Sequence, residues 1–172
     1  MINEKIKIYA NMLKNTGSFD IIGEGQHGIA LLNKNNGLVY KITMNDSHEF
    51  SVAKKLKDMN LPSMANIHSV DEIEDIGVYT KPYYHEMNER LSELIGENLE
   101  EISDFMEERK NFDAEKSNTN LAFEFDNKFL NYLSQLKKDL LKLNLLPFEW
   151  DIDGLPLNTY VNNDNDYVLI DF

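Results

Sequence analysis

Apolar positions fall into runs of different period along the chain, and each period predicts a different element. Near the N-terminus Ile6, Ala10 and Leu13 recur at helical spacing, so residues 2–15 read as a short amphipathic helix. The next stretch, SFDIIGEGQHGIALLNKNNGLVYKITM, changes to short apolar runs broken by turn residues. It reads as three strands. The first ends in Gly-Glu-Gly, and the second meets the third across Asn35-Asn36-Gly37, a strong hairpin signal. Helical spacing returns in DSHEFSVAKKLKDMN, with Asp46 or Ser47 able to cap it, Glu49 near its first turn and Leu61-Pro62 closing it. ANIHSVDEI and IGVYTKPYY read as two more strands.

The second half of the chain is mostly helical in pattern. Residues 86–116 read as helical and acidic, with Leu99, Ile102 and Phe105/Met106 on one face. NFDAEKSNTN is a loop. The strongest helix covers residues 124–145, where Phe129, Leu133, Leu136, Leu140 and Leu143 alternate three- and four-residue steps. That stripe reads as core rather than coiled coil, because only two or three heptads are present. Pro147 closes it, PFEWDIDGLPLN reads as a loop, and TYV and YVLIDF read as short strands joined by the polar turn NNDND. Five strands with one inserted helix, then helices, a loop and a small hairpin, make an α+β chain without internal repeat or domain linker.

Composition narrows this picture. A chain of 172 residues suits one domain, or two small lobes sharing one cleft. With 42% hydrophobic and 27% charged residues, wholesale disorder is excluded. No apolar run approaches the ~18 residues a membrane span needs, and the N-terminus is too polar for a signal peptide. The absence of cysteine removes disulfides, thiolate zinc sites and cysteine nucleophiles, and fits a cytoplasmic protein. Abundant Asn, and two arginines among 17 basic residues, fit an AT-rich bacterial or phage gene. The net charge is −13, and residues 71–126 hold 17 acidic side chains against five basic ones. Such a surface repels nucleic acid and anionic membrane. It reads as a solvated helical face, or as a docking face for a basic partner.

Three features carry candidate chemistry. Gly23, Gly25 and Gly28 form G-x-G-x-x-G. In a dinucleotide fold this motif opens a helix, whereas here a strand, a turn and another strand follow. There is no G-K-[ST], so it is not a P-loop. What remains is a glycine-rich hairpin tip, either an ordinary hairpin or one whose amides lie over phosphates. Next, Lys41 interrupts the apolar strand LVYKI. Pointing inward it needs an anionic partner, which phosphate oxygens or Glu49 would supply; otherwise it lies on a solvent face. Finally, the run Val168-Leu169-Ile170 delivers Asp171, either a metal-holding carboxylate or a last polar residue.

The glycine-rich hairpin followed by V-Y-K-I resembles the first three strands of the protein-kinase-like superfamily, which includes aminoglycoside phosphotransferases. In that resemblance Gly23, Gly25 and Gly28 cover the ATP phosphates, and Lys41 contacts the α/β-phosphates while pairing with Glu49. The step of eight from Lys41 to Glu49 is short for protein kinases and closer to compact members. The catalytic loop D-x-x-x-x-N matches Asp153 to Asn158, and Asp171-Phe172 stands where D-F-G begins. Asn158 and Asp171 would then supply oxygen ligands to Mg²⁺, and Asp153 would orient or accept the proton of an attacking hydroxyl. Against this, Asp153-Gly154 is also a plain turn dipeptide. A calcium loop over EWDIDG would put Tyr160 where a Glu is required.

The resemblance implies a fold in two parts. Residues 1–84 form an N-terminal lobe, a five-stranded antiparallel sheet with one helix and a hinge at 79–84 whose backbone faces adenine. Residues 85–172 form a reduced, mostly helical C-terminal lobe, and the two make one structural unit around one cleft. The H-R-D triplet is replaced by Asp151-Ile152-Asp153, so control through an activation-loop phosphate is not expected. The D-F-G glycine, the activation loop and the A-P-E segment, which build the family's peptide platform, have no counterpart here. The implied ligands are ATP and Mg²⁺, and the implied activity is a minimal kinase acting on a hydroxyl acceptor, protein Ser/Thr or small molecule. The alternative is a pseudokinase-like nucleotide-binding regulator or inhibitor that holds a partner through its acidic face. Two further expectations stand side by side, that the 172 residues are a fragment of a longer chain or that a homodimer or second chain completes the large lobe. His27, His48, His68 and His85 lack metal-ligand spacing, although His27 would lie at the hairpin tip near phosphates. Trp150 reads as packing.

Overall fold

A computed structural model of the chain describes residues 2–107, 121–145 and 152–171. The loop expected at 111–120, the stop at Pro147, Trp150, Asp151 and Phe172 lie outside the described residues. The chain divides into two compact units. One comprises Met1–Leu61 with Ala65–Tyr83, and the other Pro62–Met64 with Tyr84–Phe172.

The first unit is built from α1 (Glu4–Asn15), β1 (Phe19–Glu24), β2 (Gly28–Asn33), β3 (Leu38–Met44), α2 (His48–Lys57), β4 (Ser69–Ile73) and β5 (Ile76–Pro82). Its strands form one antiparallel sheet of five, in the order β1-β2-β3-β5-β4. The expected α+β architecture, with a helix inserted between the third and fourth strands, is therefore present. Asn3 starts α1 by accepting a hydrogen bond from the Lys5 amide, at 2.9 Å. Ile6 and Ala10 then bury against Ile29, Leu31, Ile42 and Val78 of the sheet. Ser47, the second of the two expected caps, starts α2 by accepting from the Phe50 amide. Phe50 is fully buried over Gly77, where an added Cβ would stand 2.5 Å from the ring. Glycine at 77 is thus what lets α2 seat on β5.

The second unit holds β6 (His85–Glu86), α3 (Glu89–Glu97), α4 (Leu99–Glu107), α5 (Leu121–Glu124), α6 (Asn127–Lys142), a 3₁₀ turn (Ile152–Gly154), α7 (Leu155–Asn158), β7 (Thr159–Val161) and β8 (Tyr167–Leu169). β6, β7 and β8 form an antiparallel sheet of three. The predicted stripe Phe129, Leu133, Leu136, Leu140 and Leu143 is buried throughout. Phe129 also stacks near Phe125, Tyr132 and Tyr167, with centroids 4.6–5.7 Å apart. Segment Pro62–Met64 is stitched into this unit. Leu169 N donates to Ser63 O at 2.8 Å, and Met64 bridges Leu169 in parallel.

Several boundaries differ from the sequence pattern. The expected helix over 86–116 is broken at Asn98, whose side-chain amide donates to Leu94 O and closes α3. His85 and Glu86 are a short strand instead. The helix expected from residue 124 starts at Asn127, because Asp126 is extended and caps it from the Phe129 amide at 2.9 Å. The strand over 65–73 begins only at Ser69. DGLPLN is not loop but a 3₁₀ turn running into α7, with Pro156 in the first helical turn, where its missing N–H costs nothing. The final strand ends at Leu169, leaving Asp171 beyond it.

Candidate functional site

The glycine-rich hairpin closes through Gly25 N donating to Gly28 O at 2.9 Å. A bulge between Ile21 and Gly23 precedes it, and Gln26 and His27 at the tip are exposed. Gly28 has a requirement of its own. A Cβ there would lie 2.5 Å from Ile42 O and 3.1 Å from Lys41 Cε. The backbone of β2 thus runs directly past the Lys41 side chain, and any larger residue at 28 would push the two strands apart. Thr43 links this tip to α2. Its hydroxyl donates to His27 O at 2.9 Å and lies 3.2 Å from the Ser47 capping hydroxyl.

Lys41 sits on β3 opposite Ala30 of β2 and Tyr79 of β5. Its ammonium lies 3.4 Å from Glu49 Oε1, and both side chains are only 11% exposed. Strand alternation turns Lys41 inward, and the cap at Ser47 fixes Glu49 in the first turn of α2. The same Glu49 oxygen accepts from the Tyr79 hydroxyl at 2.5 Å. Tyr79 is fully buried. Sequence reasoning missed both Tyr79 and Thr43. The signal for Tyr79 is the β3–β5 register, which the sequence does not print.

In the second unit, Asp153 is exposed in the 3₁₀ turn, and Asn158 closes α7. Asn158 and Asp171 are both half-buried. The Ile170 amide donates to Asn158 O at 2.9 Å, so the residue before Asp171 is tied to Asn158. Ser92 Oγ donates to Pro156 O at 3.0 Å and fixes α3 to this turn. Asn158 and Asp171 thus carry an amide oxygen and a carboxylate on hydrogen-bonded backbone, and among the described residues no group of three or more His, Asp or Glu side chains is placed to hold a metal ion. Of the predicted site residues, Gly23, Gly25, Gly28, Lys41 and Glu49 belong to one unit, where Lys41 meets Glu49 and passes Gly28, and Asp153, Asn158 and Asp171 belong to the other.

No protein-family model and no curated protein matches the chain. Among solved structures, it is similar to a crystal structure of Rad53 1–466 in complex with AMP-PNP, with 11% identity and a TM-score of 0.49. The similarity covers 99% of this chain and 43% of that one.

Proposed function

We propose that the chain binds Mg-ATP in a protein-kinase-like site and transfers the γ-phosphoryl group to a hydroxyl acceptor, a protein Ser/Thr or a small molecule. The observation that carries this reading is the buried Lys41–Glu49 pair at 3.4 Å, with the Lys41 stem passing Gly28 of the glycine-rich hairpin. A buried ammonium is costly without anionic partners, and phosphate oxygens would serve as such partners beside Glu49. Lys41 contacts the α/β-phosphates, and Gly23, Gly25 and Gly28 let backbone approach them. Asn158 and Asp171 would hold Mg²⁺, which when bound neutralises charge on the phosphate oxygens. Asp153 orients the acceptor hydroxyl and takes its proton as the oxygen bonds to the γ-phosphorus and ADP leaves. Such a reaction asks the protein for positioning and charge rather than covalent chemistry.

The test is transfer of labelled γ-phosphate to the protein itself, to candidate proteins and to small hydroxylated compounds. Asp153→Ala should cut transfer at least ~100-fold, the typical contribution of a general base, while leaving nucleotide affinity unchanged. Wild-type protein that transfers to none of these acceptors would contradict the reading.

One observation favours a second role, a nucleotide-binding regulator that holds a basic partner. Glu89, Glu93 and Glu97, with Arg90 and Leu94, line a groove along α3, and exposed Glu100 and Asp104 follow on α4. Partner binding that survives Asp153→Ala and Asp171→Ala, and weakens on charge reversal within residues 86–108, separates this role from the first.

A further inference from the structure

We propose that Tyr79 is a positioning residue for the nucleotide site, acting on Lys41 through Glu49; the inference rests on the phosphate-binding role of Lys41. Lys41 and Tyr79 are direct partners in the β3–β5 ladder, so their side chains leave the same face of the sheet. Both reach one atom, Glu49 Oε1. The hydroxyl is the closer, at 2.5 Å against 3.4 Å for the ammonium. On this proposal the tyrosine contact holds the carboxylate, and the carboxylate in turn holds the lysine.

Tyr79 is enclosed. The residue is 0% exposed, and Lys81 Nζ lies 5.7 Å from its ring centroid. Phe50, next to Glu49 in α2, packs over Gly77 of the same strand as Tyr79. A hydroxyl in such a place needs an acceptor, and Glu49 is one that can also carry charge. A glutamate has three side-chain torsions, so an ion pair alone leaves its carboxylate several rotamers. The phenol removes that freedom from one side while α2 removes it from the other. A phosphate-binding ammonium is then pre-organised rather than ordered by the ligand.

The experiment is a mutant box in the full chain with two readouts. Tyr79→Phe keeps the ring and removes only the hydroxyl. In calorimetric titration with Mg-ATP it should weaken affinity about tenfold, the scale of one charged hydrogen bond. In a Glu49→Gln background the same change should add less than about twofold. Equal effects in both backgrounds would overturn the proposal, since a purely structural tyrosine acts independently of Glu49. The second readout uses no nucleotide. Thermal shifts of Tyr79→Phe and Lys41→Met should be non-additive with Glu49 present and additive in Glu49→Gln. Additivity in both backgrounds likewise overturns it. If wild-type protein binds no Mg-ATP, the functional reading fails while this coupling still decides the role of Tyr79. Should Tyr79→Phe not fold, the Tyr79 hydroxyl proton in unmutated tyrosine supplies the answer by NMR. It should be protected in wild type and lost or shifted in Glu49→Gln; an unchanged resonance counts against the proposal.

Discussion

Tyr132 is buried beside Thr159, with its hydroxyl 3.2 Å from Thr159 Oγ1. Burial pushes this phenol well above its ordinary value of 10.0, and the Thr159 hydrogen bond opposes the shift only in part. In the unfolded chain it ionises near the ordinary value, so above that pH the folded state holds more protons. Stability from this group is full below pH ~10 and falls as pH rises further, by up to about 1.4 kcal/mol per pH unit. Urea unfolding between pH 9 and 11 should show that slope, and Tyr132→Phe should flatten it. Burial raises Tyr9 and Tyr167 as well, so their phenols also favour lower pH. Asp139 meets burial differently, by pairing. With no exposure, its carboxylate accepts from Ser63 N and Oγ at 3.2 and 2.7 Å and from Gln135 Nε2 at 2.8 Å. Ser63 O in turn accepts from Leu169, so the residue that begins the approach to Asp171 hangs on this anchor. Neither role is visible in the sequence. Asp139 reads there as one polar position of an amphipathic helix, and its partner Ser63 is 76 residues away.

At the scale of elements, what was legible followed from local rules. The β2–β3 hairpin announces itself through Asn35-Asn36-Gly37, and α6 through its five-residue apolar stripe. The break between α3 and α4 was hidden, because apolar spacing and acidic composition continue across Asn98 while one side-chain hydrogen bond ends the helix. α7 was hidden by Pro156 and Gly154, which signal a turn as readily as a helix start. The seating of α2 could not be read either, since Gly77 looks like any strand glycine until Phe50 is placed over it. That seating yields a prediction. Gly77→Ala puts a methyl 2.5 Å from the Phe50 ring, so the helix must shift. Overpacking of this kind costs about 1–3 kcal/mol. If α2 carries Glu49 as argued, Mg-ATP affinity should also fall, and by more than in a variant destabilised equally through α1, such as Ala10→Gly. Denaturant melts and titration calorimetry on both variants check this.

At the scale of the whole molecule, the candidate residues are divided between two compact units. The candidate residues of each group are ones that spacing alone nominates: glycines at a hairpin tip, a lysine inside an apolar strand, D-x-x-x-x-N followed by an aspartate after a short hairpin. Their supports were not, because Tyr79, Thr43 and Ser63 act through register and long-range contact. The net charge of −13 suits an account in which a nucleotide is held by few, well-placed cations rather than by a basic surface. The most direct test of the central claim is the unfolding temperature with ATP, in Mg²⁺ and in EDTA, for wild type and for Lys41→Met. Ligand at 100-fold over its Kd stabilises a fold by about 2.7 kcal/mol. Wild type should therefore melt several degrees higher with Mg-ATP and less so in EDTA, and Lys41→Met should lose most of the shift. No shift with saturating Mg-ATP, or the same shift in Lys41→Met, would contradict the account.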